Sequence, residues 1–127
     1  MLHLESFWYR PNETDSEDLG TSVSESLLVW IQSEESDMND RVTVLRKMVK
    51  NIRWLSKKIE TNQIILHSFA HLGESKSEPE FADALIEEVA RRLRDREYEI
   101  HIVPYGKFYE FKMHVKGPSL AKVFKQF

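Results

Sequence analysis

Leu27, Leu28, Val29, Trp30 and Ile31 form an unbroken apolar run between polar neighbours. It is far shorter than the ~20 residues a membrane-spanning helix needs. A run of this length reads as a strand buried on both faces. With 127 residues the chain is expected to be a single domain, 1–127.

The other elements take their places around that strand. Met1 to Tyr9 is apolar and aromatic enough for a first strand, and Pro11 to Thr21 reads as a polar loop. After cap material at Ser36 to Asp40, the residues Val42, Leu45, Val49, Ile52, Leu55 and Ile59 recur at helical spacing, which predicts a helix over about Asp40 to Ile59. Ile64, Ile65, Leu66 and Phe69 predict a short strand ending near His71. Ser77 and Glu80 have capping-box spacing with Pro79 in the first turn, and Phe81, Leu85, Val89 and Leu93 continue a second helix to about Asp95. In the last third, Tyr98, Ile100 and Ile102 alternate with polar residues, as do Tyr109, Phe111, Met113 and Val115. These two runs read as a C-terminal β-hairpin, with a final short helix over 120–127. The expected order is β-β-α-β-α-β-β. That is an α/β fold, a mixed β-sheet with two main helices and the C-terminal hairpin.

Charge is segregated along the chain. Between Asn12 and Asp40 there are nine acids and no Lys or Arg, whereas Arg41 to Lys58 carries seven bases and no acid. From Lys107 onward five lysines face one acid, Glu110. A formal net charge of −3 therefore coexists with strongly basic local surface. The stripe Arg46, Lys50, Arg53 and Lys57 is either a solvated helix face or a set of phosphate contacts, with Lys116, Lys122 and Lys125 competing for the second role.

Most generic chemistries find no residues to carry them. The chain has no cysteine, so disulfides and thiolate chemistry are excluded. His67 and His71 have the i, i+4 spacing of a zinc pair, but in a strand four residues span about 13 Å, too far to share one ion. No metal and no cofactor is expected. G-x-S-x-G, the P-loop and G-x-G-x-x-G are all missing from a chain with four glycines. Paired carboxylates such as Glu34-Glu35 and Glu87-Glu88 read as solvated. No basic segment leads into an apolar stretch, so a secretory signal is not expected and the expected location is cytoplasmic, without a membrane.

Two stretches taken together resemble a known family. Ser68-Phe69-Ala70-His71-Leu72 leaves a strand and precedes the Pro-started helix; Pro104-Tyr105-Gly106 is followed by Phe111-Lys112, Lys116-Gly117 and Leu120-Ala121. The pairing resembles the N-terminal editing domain of archaeal-type threonyl-tRNA synthetase, with its P-F-A-H-L-like strand end and its P-F-G-x-Y-K-A-F-K hairpin. The resemblance covers nearly the whole chain. It implies a fold similar to that of D-aminoacyl-tRNA deacylase, a homodimer, and hydrolysis of a mischarged aminoacyl-tRNA ester of the Ser-tRNA(Thr) type. It also implies a pocket that reads the amino acid through main-chain groups, and a reactive hydroxyl taken from the terminal ribose of the tRNA. Implied partners are the aminoacylated 3′ end of tRNA and a threonyl-tRNA synthetase.

Carried over residue by residue, the resemblance places Ser33, Ser68, Phe69, Ala70, Pro104, Tyr105 and Gly106 in the substrate pocket and His71 beside them. Ser68 stands where the family has proline. The family's lysine falls on Tyr109, and a glutamate of its C-terminal segment falls on Lys122. The H-S-D-like run of the opening strand is replaced around Glu5-Ser6-Phe7. Strand parity puts Tyr109 on the face of Phe111, Met113 and Val115, with Lys112 on the other. Lys107 has the parity of Tyr109 and lies about 6–7 Å away along the strand. It is the expected substitute, the other reading being an exposed turn lysine. The catalytic set is then His71, Lys107 and Tyr109. A chain of this length has no room for an ATP-using body, so the expected activity is correction of tRNA, free-standing or detached from a synthetase. The competing reading is a catalytically silent binding module of the same fold.

Overall fold

The structure, a computed structural model, describes residues 1–11, 19–32, 40–68, 79–104 and 109–125. Strands β1 (Leu2–Pro11), β2 (Thr21–Val23) and β3 (Ser26–Ile31) precede helix α1 (Arg41–Lys58). Strand β4 (Gln63–Ser68), helix α2 (Pro79–Arg94), strands β5 (Glu99–Ile102) and β6 (Tyr109–Val115), and a short 3-10 turn at Ser119–Ala121 follow. The architecture is α/β, with a curled mixed sheet and two helices.

The apolar run does become a central strand: Leu27 and Leu28 are fully buried, and Val29 and Ile31 nearly so. β3, β4 and β5 are parallel neighbours, with Leu27 opposite Ile64 and Ile64 opposite Ile100. Parallel neighbours need a crossover, and α1 and α2 supply the two. One set of alternate residues, among them Leu27, Val29, Ile64 and Leu66, packs against Leu45, Ile52 and Leu55 of α1 and Leu85, Val89 and Leu93 of α2. The other set, Leu28 and Ile65, meets Leu4, Phe7 and Tyr9 of β1 and Tyr109, Phe111, Met113 and Val115 of β6.

β1 shapes this second face. Its Leu2 to Leu4 pair with β3, its Phe7 to Tyr9 with β2, and β6 runs antiparallel along its other edge. The β1–β6 register slips between Leu4 and Ser6. Without that bulge, Leu4 and Phe7 would point to opposite faces; with it, both are buried on the same one. In a flat sheet β1 and β5 would stand three strand spacings apart, about 14 Å. Instead the Tyr9 hydroxyl lies 2.7 Å from His101 Nε2 on β5. The ribbon of β1 and β6 therefore curls back over the face of β3, β4 and β5.

Three expectations are corrected. The last two strands are not a hairpin: β5 pairs with β4, and β6 pairs with β1. β6 buries its aromatic side against β1 over a longer edge than four-residue β5 offers. A further strand, β2, forms where the loop was expected to end at Thr21. In place of a helix over 120–127, the chain turns once at Ser119–Ala121 and then extends, Lys122 bridging to Leu2 and Val123 N–H donating to the Met1 carbonyl. The capping residue Ser77 lies outside the described residues.

Candidate active site and basic groove

β4 ends at Ser68 and β5 at Ile102. Leu66 stands opposite Ile102, so the same register carries Ser68 alongside Pro104. The carboxyl ends of parallel strands are where open α/β sheets bind ligands. Here that edge meets the start of β6, because Tyr109 donates its hydroxyl hydrogen to the Pro104 carbonyl at 2.7 Å. This bond ties together the two ends of the segment 105–108.

A cluster of rings lines the corner. The Tyr109 ring meets Tyr9 edge-on at 5.3 Å and His67 edge-on at 6.1 Å. His67 also packs on Phe111 at 5.3 Å. Trp30 Nε1–H donates to His67 Nδ1 at 3.1 Å, which leaves the proton of a neutral His67 on Nε2. Burial pushes the His67 imidazole down to about 4. Burial likewise lowers His101 and raises Tyr9. Tyr109 is raised by burial first and by its neighbour Tyr9 second. At neutral pH all four side chains are uncharged. The corner is thus an uncharged cluster of rings whose polar tips are fixed by one another and by the Pro104 carbonyl.

Of the expected pocket residues, Ser68, Pro104 and Tyr109 come together in this corner. Ser33, Phe69, Ala70, His71, Tyr105, Gly106 and Lys107 lie outside the described residues. Tyr9, Trp30, His67 and His101 are not among the expected pocket residues; His67 enters the sequence reading only as half of a zinc pair. Their signal was parity: each is a polar-tipped ring on the same strand face as a core residue. No group of residues able to hold a metal occurs among the described residues. None of the helices described is long and apolar enough to cross a membrane.

The predicted basic stripe is real and has company. Arg46, Lys50, Arg53 and Lys57 line a groove of about 790 Å³ together with Arg92 and Arg96 near the end of α2. Trp54 contributes an apolar wall, and Asp95 is the one carboxylate in the lining. Lys125 places its ammonium over the Trp54 ring, 5.5 Å from the centroid. The two helices treat charge differently. On α2, Glu88 binds Arg91 at 2.5 Å and Arg92 at 3.4 Å, and Arg91 holds the Glu88 carboxyl down to about 2. On α1, Arg46 and Lys50, and Arg53 and Lys57, are like charges at i, i+4, each pair destabilising by ~0.2–0.5 kcal/mol. Among the described residues none of these four forms an ion pair.

The chain is similar to known proteins. The model of the archaea-specific editing domain of threonyl-tRNA synthetase matches residues 1–127. The threonine–tRNA ligase of Thermococcus sibiricus is 27% identical over 114 residues, which is 90% of this chain and 18% of that protein. The ligase of Thermococcus kodakarensis is 29% identical over 113 residues, 89% of this chain and 18% of the ligase. The ligase of Methanosphaera stadtmanae is 27% identical over 130 residues, 97% of this chain and 21% of the ligase. The chain thus spans 17–21% of the length of such ligases. With the family model matched from end to end, this chain belongs to the archaea-specific editing domains of threonyl-tRNA synthetase.

Proposed function

We propose that the chain hydrolyses the ester joining a wrong amino acid, of the L-serine type, to the 3′ end of threonine tRNA. Its membership in the editing-domain family, over its whole length, carries this reading. The corner where β4, β5 and β6 meet is the proposed pocket. Water adds to the ester carbonyl carbon, the bond from that carbon to the ribose 3′-oxygen breaks, and the 3′-oxygen takes up a proton. Free serine and intact tRNA result. The adjacent ribose 2′-hydroxyl participates, so the protein's task is to position the ester and orient dipoles toward its developing oxyanion. An uncharged lining suits that task.

In this reading Ser33, Ser68, Phe69, Ala70, Pro104, Tyr105 and Gly106 bind the aminoacyl group. His71 shapes the pocket and Lys107 supplies the ammonium. Tyr109 is a positioning residue, because its hydroxyl is committed to the Pro104 carbonyl at the base of the segment that carries Lys107. The fold is read as D-aminoacyl-tRNA deacylase-like, the chain as a homodimer and its partners as tRNA and a threonyl-tRNA synthetase. It acts in the cytoplasm, free-standing or as a detached piece of the synthetase.

One observation favours a second reading, a catalytically silent module that binds tRNA. Tyr109 stands where the family has its lysine, and a raised, hydrogen-bonded phenol is a poor stand-in for an ammonium. Incubation with seryl-tRNA and threonyl-tRNA separates the two. Release of serine with threonine retained is the expected result, and it should vanish with tRNA ending in 2′-deoxyadenosine. Binding of seryl-tRNA without release would establish the silent module instead.

A further inference from the structure

We propose that the groove between α1 and α2 is the binding track for an RNA phosphodiester backbone, whose 3′ end it delivers to the strand-end corner. The inference rests on the reading of tRNA as substrate and assigns it a surface. Among the described residues, five cations of the lining, Arg46, Lys50, Arg53, Lys57 and Arg96, have no ion-pair partner, a sixth, Arg92, is paired with Glu88, and Asp95 is the one carboxylate of the lining. Arg46, Lys50, Arg53 and Lys57 follow one another along one side of α1. From Arg46 to Lys57 they cover eleven residues of helix, about 16 Å. A linear row of cations matches a linear polyanion.

Three further observations make this more than a solvated face. Arg53 lines the groove, and its buried Nε finds no acceptor among the described residues, so its guanidinium is not held by a partner of the protein's own there. The like charges on α1 oppose helix formation and have no ion-pair partner among the described residues, whereas nearby Arg91 and Arg92 of α2 share the Glu88 carboxylate. Direction is the third. α1 joins parallel strands β3 and β4, so it runs opposite to them, with Arg46 towards their carboxyl ends and Lys57 away. A strand whose terminus sits in the corner can therefore follow the row outward from Arg46.

Binding of uncharged tRNA, read by fluorescence anisotropy over a salt series, tests this without any hydrolysis. The chain itself is compared with a Lys50→Gln/Lys57→Gln double variant and with Arg96→Gln. Lys50→Arg is the charge-preserving control, and thermal melting checks that each variant folds. The double variant should lose about tenfold in affinity and about two units of the salt slope, equally for an unrelated tRNA. Arg96→Gln should lose about one unit, and Lys50→Arg should bind as the original chain does. Unchanged tRNA affinity and slope in the folded double variant would overturn the track. So would an equal loss with Lys50→Arg, or variants that lose binding to polyglutamate while keeping tRNA, which would mark the groove as a seat for an acidic protein. If the track is right and editing is not, tRNA binds through the groove but no serine is released. If editing is right and the track is not, serine is released while the variants bind normally.

Discussion

The two faces of the sheet are built from different materials. Against the helices lie aliphatic side chains, with Leu27, Leu55, Ile64, Leu66, Val89 and Leu93 fully buried. The β1–β6 ribbon covers the other face with rings of its own, Phe7, Tyr9, Tyr109 and Phe111, joined there by His67 of β4 and Trp30 of β3. The aliphatic face gains from burial alone, which is non-directional and tolerant of detail. The ring face carries polar tips, and each tip needs a placed partner to be buried at all. Stability is concentrated on the first face, and the specific geometry of the corner on the second.

That contrast predicts opposite responses to substitution. Leu93→Ala on the aliphatic face should lower unfolding free energy by about 3 kcal/mol in a urea titration. Serine release per folded molecule should stay unchanged. A large loss of rate at equal stability loss would break the division between the faces.

The next effect is set by pH. His67 in the folded chain titrates at about 4, below its ordinary value of 6.5. Between those two values the unfolded chain binds a proton at this site and the folded chain does not. Stability is therefore full above pH 6.5 and falls as pH drops towards 4, by about 3 kcal/mol in all from this group. His67→Gln, which keeps an acceptor for Trp30, should flatten that part of the pH–stability curve. An unchanged slope in the variant would show that His67 is not held neutral by the ring face.

Smaller effects sharpen the picture within the corner. Tyr9→Phe removes the bond to His101 and should cost about 1 kcal/mol. Tyr109→Phe keeps the ring and frees the Pro104 carbonyl. Its stability should stay within about 1 kcal/mol of the original, while serine release slows roughly tenfold or more through looser positioning. An unaltered rate would remove Tyr109 from the site.

Periodicity made much of this legible in advance. The Leu27–Ile31 run, the helical spacing in α1 and the inward side of β6 all state which face a residue takes, and the structure agrees except at Val42, which the spacing put on the inner face and which is 74% exposed in the first turn of α1. Periodicity does not state which strand is the neighbour. Tyr98 to Ile102 and Tyr109 to Val115 alternate like a hairpin, yet they pair with different strands, because the sheet curls and offers β6 the long free edge of β1. The ring cluster stayed hidden for the same reason. Tyr9 and His101 are 92 residues apart, and only the curl brings them together. The basic row on α1 was readable because it lies on one helix; Arg92 and Arg96 were not, since their place in the groove depends on how α2 packs beside α1.

In the proposed function the ring-lined corner holds the substrate and the aliphatic face only supports it. Titrating the chain with a non-hydrolysable seryl-3′-aminoadenosine, while following the imidazole resonances of His67 and His101 by NMR, tests this directly. Both imidazoles should shift and saturate together, with the backbone amides of Leu85, Val89 and Leu93 unmoved. Saturable shifts confined to the helices, with both imidazoles still, would contradict it.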